Sequence, residues 1–183
     1  MKTLFQTAAE LQAFLEKEKC KYCFIGGIAL QRWGEPRVTV DIDVTLLTGF
    51  GGEKPFIRAL LAVYQSRIPD AAAFALENRV LLLKSAGGIA LDIALAALPF
   101  EEEAVSRATR FEFLPGLSLL TCSAEDLVIM KAFADRPRDW ADINTVFDRG
   151  RGKLDRTYIL ERLTPLAEIK SAPQILTTLK GLF

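Results

Sequence analysis

Three aspartates in apolar strand-like segments are the residues of this sequence best suited to chemistry. Asp41 and Asp43 flank Ile42, and Asp92 is the one acid in the apolar run Ile89–Leu95. Side chains alternate along a strand, so Asp41 and Asp43 should project from the same face. Adjacent carboxylates repel each other unless a cation or a proton intervenes. The spacing therefore favours a metal shared by Asp41, Asp43 and Asp92.

The absence of histidine narrows both the chemistry and the metal. With no histidine in the 183 residues, Ser-His-Asp triads, Cys-His dyads and H-E-x-x-H zinc sites are excluded. Any metal must be held mainly by carboxylates, and oxygen ligands favour Mg²⁺ or Mn²⁺. Cys20 and Cys23 form a C-x-x-C pair. A zinc or redox site would also need a second ligand pair or a thioredoxin-like context, and the sequence shows neither.

Each aspartate also has an ordinary structural interpretation. Asp41 and Asp43 could face solvent, or pair with Arg37 and Lys84, as charged residues on exposed strand faces often do. Asp92 could form a salt bridge with a nearby arginine, because buried acids are usually paired. These alternatives remain open beside the metal site.

A pair of glycines, Gly26 and Gly27, lies between a predicted strand, Tyr22–Ile25, and a predicted helix, Ile28–Trp33. Glycine lets the backbone approach a phosphate closely, and the free N–H groups of a helix N-terminus attract anions. The same pair could also form a plain tight turn.

The apolar spacing predicts the elements that position these residues. The first elements are a helix opened by a Thr7–Glu10 capping box, a strand over Val38–Leu47 and a helix over Pro55–Arg67. A hairpin of strands Arg79–Lys84 and Ile89–Leu95 follows. After about Leu120 only helices are predicted, beginning at the Ser123–Asp126 cap and including Arg156–Ile169. This order predicts an α/β fold with a mixed sheet flanked by helices over residues 1–122. A helical C-terminal region, 123–183, would pack on that core or continue it as one domain.

Charge and hydropathy argue against a globally basic nucleic-acid-binding protein, a secreted protein and a membrane protein. Acidic and basic residues number 23 each, so no global basic field indicates nucleic-acid binding. The segment Met1–Gln6 lacks the pattern of a secretory leader, and no run of about 18 apolar residues indicates a membrane span. We therefore expect a cytoplasmic protein with no membrane partner.

Two local features could still contact nucleic acid. A basic linker could bind RNA phosphates, although the interleaved Asp148 and Asp155 favour a solvated loop. Two tryptophans could stack on bases, although their apolar neighbours favour core packing. These residues are Arg149, Arg151, Lys153 and Arg156 in the linker, and the tryptophans Trp33 and Trp140.

In this sequence a glycine pair is followed, after thirteen residues, by D-x-D and, further on, by a strand aspartate. This pattern resembles the nucleotidyltransferase superfamily, which has the polymerase-beta-like fold. The G-G-x-A-L of Gly26–Leu30 and the R-x-T-x-D-I-D of Arg37–Asp43 are similar to the AbiEii-type toxin branch. The downstream segments Glu125–Lys131 and Arg136–Ile143 also resemble that branch.

The resemblance implies a role for each matching residue. Gly26 and Gly27 would cradle the triphosphate of an NTP. Asp41 and Asp43 would bind two Mg²⁺ ions, with Mn²⁺ as the other candidate. Asp92 would hold one metal and help to deprotonate the attacking hydroxyl. Two metals about 3.5–4 Å apart can clamp the attacking and leaving oxygens of an in-line displacement.

Basic residues would neutralise phosphate charge. Lys131 would do so from the helix that follows Ser123, although it could instead be a solvated surface lysine. Arg37, four residues before Asp41, could orient a carboxylate or touch phosphate. The cluster of Arg138, Asp139 and Asp142 could equally be an internal ion network.

The implied activity is Mg²⁺-dependent transfer of a nucleotidyl group from an NTP to a hydroxyl acceptor. The acceptor would be RNA, such as a tRNA end, if the protein is a toxin that acts beside an antitoxin partner. A second hypothesis is a small-molecule enzyme that modifies antibiotics. A third is a catalytically silent domain that binds a nucleotide or a partner protein.

Overall fold

The computed structural model describes residues 3–150 and 152–183, so Met1, Lys2 and Arg151 lie outside the described residues. The chain divides into two compact units, which we call the sheet unit (1–28 with 38–122) and the helical unit (29–37 with 123–183). The extent of independently folding domains stays a prediction.

The sheet unit alternates helices and strands. Its elements are α1 (Leu4–Lys17), β1 (Tyr22–Phe24), the start of α2 (Gly26–Trp33), β2 (Asp41–Leu47), α3 (Glu53–Leu61), β3 (Gln65–Ser66), α4 (Ala71–Asn78), β4 (Val80–Lys84), β5 (Ala90–Ala96), α5 (Pro99–Ser106), β6 (Thr109–Leu114) and β7 (Leu117–Thr121). The helical unit holds the rest of α2 and, after it, α6 (Ala124–Ala134), α7 (Pro137–Gly150), α8 (Arg156–Ile169) and α9 (Gln174–Lys180). The predicted α/β class, with a mixed sheet and C-terminal helices, is confirmed.

Seven strands form one sheet in the order β3-β4-β5-β2-β1-β7-β6. The pairs β2–β5 and β1–β7 are parallel, and the other neighbours are antiparallel. Along β2, Ile42, Val44 and Leu46 are fully buried, whereas Asp41 and Asp43 are only partly buried. This alternation gives the central strand one apolar face and one face that carries the acids.

The apolar face of the sheet packs on helices. Leu11 and Leu15 of α1, four residues apart on one helical face, join Ile57 and Leu60 of α3 and Ile93 of β5 in one buried cluster. Burying each such side chain contributes about 1.5–3 kcal/mol to folding. The core therefore fixes which face of β2 and β5 points away from the helices.

The predicted start of the first helix was wrong by one turn. The capping box is formed by Thr3 and Gln6, and Thr7 lies inside α1 with its N–H donating to the Thr3 carbonyl at 3.1 Å. Both threonines carry the capping pattern, but Thr7 is buried among helix residues, so the earlier pair caps the helix.

The predicted helix Pro55–Arg67 was also wrong in its second half. Helix α3 ends at Leu61, and β3 (Gln65–Ser66) then pairs with β4 at the sheet edge. Tyr64 shares the apolar spacing that suggested a longer helix, but its ring packs edge-on against Phe14, with ring centroids 5.9 Å apart. The short helix α4 was not predicted.

Other predicted elements are confirmed. Strands β4 and β5 form the antiparallel hairpin, and α8 has the predicted bounds. Ser123 caps α6, since its hydroxyl accepts the Asp126 N–H at 3.1 Å. In the part of the chain that the structure describes, no helix combines the length and apolar character needed to cross a membrane.

Ile93→Ala should test the core beneath the aspartates. Ile93 is fully buried, so removing its outer carbons should leave a cavity and cost about 2–5 kcal/mol of unfolding free energy. Urea denaturation followed by circular dichroism measures the change. The matched control Ile169→Ala, at a side chain that is 75% exposed, should change stability by less than about 0.5 kcal/mol. Equal losses in both variants would contradict the assigned core.

Candidate active site

Three aspartates lie on one face of the sheet unit. Strands β2 and β5 are parallel neighbours, and their register makes Asp43 the direct partner of Asp92. Neighbouring strands lie about 4.8 Å apart, and Asp41 stands two residues before Asp43 on the same face. The structure thus places on one face of two neighbouring strands the three residues that the sequence singled out as metal ligands.

Local donors hold two of these carboxylates. The Thr39 hydroxyl donates to Oδ1 of Asp41 at 2.8 Å. The N–H of Gly27 points to Oδ2 of Asp43 at 3.5 Å, a long contact at the start of α2. A helix N-terminus favours nearby negative charge, so α2 stabilises the Asp43 carboxylate.

The glycine pair is required by close packing against these same residues. Gly26 has a φ of +54°, and a Cβ there would lie 2.0 Å from Oδ2 of Asp43. A Cβ on Gly27 would lie 2.2 Å from the Thr39 hydroxyl oxygen. The pair therefore makes room for acids and their donors, and its role as a triphosphate cradle stays a prediction.

Asp92 forms an ion pair with Arg67, where the sequence suggested only a salt bridge with an unspecified arginine. The Arg67 guanidinium donates to Oδ1 of Asp92, and both side chains are 31% exposed. Burial raises the pKa of the Asp92 carboxyl, the charge of Arg67 opposes this, and the charge of Asp41 adds to it. The resulting pKa lies above the usual aspartate value, because burial together with the charge of Asp41 outweighs the charge and the hydrogen bond of Arg67.

Arg67 itself was missed by sequence reasoning. It lay at the end of a predicted helix, whereas it follows the edge strand β3. The available signal was the lone acid Asp92 in an apolar strand, which implies a basic partner without identifying it.

The aspartates fit a divalent metal by ligand type and backbone placement. As their side chains lie, no three Cys, Asp or Glu residues within 3–150 and 152–183 converge in a metal-binding cluster. Asp43 faces Gly27, and Asp92 faces Arg67. The donor set is all oxygen, which suits Mg²⁺ or Mn²⁺. Binding a shared metal therefore requires side-chain rotation on strands that are already in register.

A buried ion network organises the helical unit. The Lys131 ammonium donates to Asp139 at 3.0 Å and to Asp142 at 2.6 Å. Arg37 binds both oxygens of Asp142, each at 2.8 Å, and Arg136 pairs with Asp139. The alternative of a solvated Lys131 is wrong, because its side chain is only 7% exposed. An internal network around Asp139 and Asp142 is confirmed, whereas Arg138 of the predicted cluster is exposed.

The network keeps its two acids ionised. Burial raises the pKa of Asp142, but hydrogen bonds and charges from Arg37 and Lys131 outweigh it, so the pKa lies below the usual value. The pKa of Asp139 is lowered in the same way by Arg136 and Lys131 against its burial. Arg37 thus orients a carboxylate, that of Asp142, and the phosphate-binding roles of Arg37 and Lys131 stay predictions.

The residues proposed for RNA contact have mixed surroundings. Arg149 donates to the Gly34 carbonyl, Lys153 is exposed, and Arg151 is outside the described residues. The half-buried Trp33 lies under the Arg32 guanidinium, 4.0 Å from the ring centroid. Also half-buried, Trp140 donates its indole N–H to Asp135 at 2.8 Å, and the exposed Arg156 lies 5.0 Å from the centroid of the Phe183 ring. A role of these residues in RNA binding stays a prediction.

Comparison with protein families decides the identity. Residues 11–170 match the model of the family described as "Nucleotidyl transferase AbiEii toxin, Type IV TA system". The chain belongs to this family. This AbiEii-family protein is therefore a nucleotidyltransferase, and the predicted resemblance and enzyme class are confirmed. No curated protein matches the sequence significantly.

Solved structures show the same fold at low sequence identity. ANT(2'')-Ia in complex with adenylyl-2''-tobramycin is 14% identical, with 92% of this chain and 99% of that chain covered and a TM-score of 0.58. The lincomycin-bound lincosamide adenylyltransferase LnuA is 16% identical, with 75% and 92% covered and a TM-score of 0.51. An antigenic nucleotidyltransferase-like protein from Paracoccidioides brasiliensis is 16% identical, with 97% and 92% covered and a TM-score of 0.53.

Asp142→Asn should destabilise the AbiEii-family protein by about 3 kcal/mol, because it leaves the buried Lys131 and the half-buried Arg37 with too little negative charge. The lowered pKa of Asp142 stabilises the fold above pH 3.8, the usual aspartate value. That stabilisation is lost as the pH falls through the lowered pKa, since the unfolded chain takes up its proton first. Urea unfolding at pH 6 and pH 3 should show a smaller acid-induced loss in the variant.

The control for this substitution is Asp148→Asn on the exposed end of α7. It should match the wild type in both stability and acid sensitivity. An Asp142→Asn protein as stable as that control would contradict a stabilising role of the network.

Proposed function

We propose that this nucleotidyltransferase moves a nucleotidyl group from an NTP to a hydroxyl acceptor in a Mg²⁺-dependent reaction, with Mn²⁺ able to replace Mg²⁺. The reaction would take place on the face that carries Asp41, Asp43 and Asp92. The observation that supports this proposal is the parallel register of Asp43 with Asp92, beside the glycine start of α2.

The chain's own residues then have distinct tasks. Asp41 and Asp43 bind the metal ions, with Thr39 orienting Asp41. Asp92 supplies a further ligand and takes part in removing the proton of the attacking hydroxyl. Divalent ions at such a site neutralise phosphate charge and activate the attacking oxygen. Nucleotidyl transfer depends mainly on positioning and electrostatics, so it needs no histidine.

Phosphate binding is assigned to backbone and basic groups. Gly26 and Gly27 offer the N–H groups of a helix start to the triphosphate. Lys131 and Arg37 remain candidates for neutralising phosphate charge. Their present carboxylate partners would then have to share them, since Asp142 contacts both side chains.

RNA, such as a tRNA end, is the acceptor that we favour, with the protein acting as a toxin in the cytoplasm. The family description, which names a toxin of a type IV toxin–antitoxin system, supports the toxin role and an antitoxin partner. The exposed Lys153 and Arg156 of the basic linker would suit a phosphate backbone.

A small-molecule acceptor is the second candidate. The observation that favours it is the fold shared with LnuA, solved with lincomycin, and with ANT(2'')-Ia, solved with adenylyl-2''-tobramycin.

Transfer from α-labelled NTPs tests the proposed activity. Each of the four NTPs is incubated with the enzyme, Mg²⁺ and either an RNA pool, an aminoglycoside or a lincosamide. We expect label on RNA with at least one NTP, and none in the presence of EDTA. Labelled antibiotic with unlabelled RNA would establish the second candidate instead. If every acceptor stays unlabelled although the protein binds Mg²⁺, the transfer proposal fails.

Asp43→Asn should abolish activity while the fold is retained. The amide keeps the size and an oxygen acceptor for the Gly27 N–H but loses the ligand charge, so transfer should fall by more than about a hundredfold. Growth arrest on expression, expected of a toxin, should disappear with it. The control Asp70→Asn, at an exposed left-handed position that asparagine tolerates, should keep wild-type activity. Loss of the native circular dichroism in Asp43→Asn would instead indicate a structural residue.

A further inference from the structure

Arg67 stands in line with the candidate metal ligands across four strands of the sheet unit. Its backbone N–H donates to the Leu82 carbonyl at 3.0 Å, which continues the β3–β4 ladder by one residue. Leu82 is the register partner of Asp92, and Asp92 is the partner of Asp43. Arg67, Leu82, Asp92 and Asp43 therefore form one row across the sheet, with the arginine at the sheet edge.

The Arg67 side chain extends across strand β4 to contact Asp92 on β5. The backbones of Arg67 and Asp92 are separated by two strand spacings, about 10 Å, a distance that an arginine and an aspartate can span between them. Both side chains are 31% exposed, so the pair is open to water and to ions. Ion pairs with this exposure are weak and readily exchanged.

A divalent cation at the three aspartates would need the same carboxylate that Arg67 holds. The guanidinium and the metal repel each other at short range, and both draw on the charge of Asp92. The backbone of Arg67 remains fixed to Leu82, so a released side chain stays within reach of the site. Its planar fork of N–H donors matches the oxygens of a phosphate.

We propose that Arg67 is an exchanging counter-ion: it holds Asp92 in the metal-free enzyme and moves to the triphosphate of the NTP when the metal takes Asp92. This inference rests on the proposed function, because it requires metal and triphosphate at the same face. It assigns Arg67 a substrate-binding role that the motifs of the sequence did not indicate.

The opposing model keeps Arg67 on Asp92 as an outer support of the metal ligand. Such supports strengthen metal binding, and their removal typically weakens it by 10–100-fold. A competing counter-ion has the opposite effect, because its removal frees the carboxylate. The direction of the change in metal affinity therefore separates the two models.

Arg67→Gln in the full-length chain tests the exchange. We expect Mn²⁺, titrated without nucleotide and followed by electron paramagnetic resonance, to bind about fivefold more tightly. Inorganic triphosphate with Mg²⁺, followed by calorimetry, should bind about tenfold more weakly. The matched control Arg58→Gln, at an exposed position on α3, should change neither affinity. Triphosphate is the probe because it reports phosphate binding for any base.

Each contrary result has a defined meaning. Weaker or unchanged Mn²⁺ binding in Arg67→Gln would overturn the exchange, and so would unchanged triphosphate binding. If the wild type binds no Mn²⁺, the metal site of the proposed function fails together with this inference. Arg67→Lys, which keeps the charge but loses the fork, serves if the glutamine variant does not fold, and should retain wild-type Mn²⁺ affinity while binding triphosphate more weakly.

Discussion

The parallel pairing of β2 with β5 determines where the three aspartates of the candidate active site lie. A shift of one residue in this pairing would turn side chains to the opposite face. Ile42 and Leu91 are fully buried on the core side, so the hydrophobic effect selects the register. The same register aligns Asp43 with Asp92. Apolar packing on one face therefore dictates the arrangement of acids on the other.

The two units solve the problem of clustered carboxylates differently. In the helical unit, Asp139 and Asp142 are buried with cations that hold them from several sides. In the sheet unit, the acids rely on a hydroxyl, a helix N-terminus and the partly exposed Arg67. The first arrangement is fixed and stabilising. The second arrangement leaves negative charge on the carboxylates that a bound ligand can neutralise, as an active site requires.

The sequence predicted the three aspartates of the site but not their basic partner, Arg67. The i, i+2 spacing placed Asp41 and Asp43 on one face, and the hairpin pattern placed Asp92 on a strand. The choice of Arg67 as partner depends on how the edge strand β3 pairs with β4. The apolar spacing of the sequence instead predicts that the helix continues through this strand. Pairing across a sheet joins residues far apart in the chain, so no local pattern encodes it.

The row that contains Arg67 also has a consequence for folding. Strands β4 and β5 form a hairpin and only α4 separates β3 from β4, so these antiparallel pairings close shorter loops than the parallel pairing of β2 with β5. The parallel closure of β2 onto β5 spans the intervening helices and is slower. We therefore expect Arg67 to reach Asp92 before Asp43 does. In that order of pairing, the repelling carboxylates are brought together only after one of them has its counter-ion.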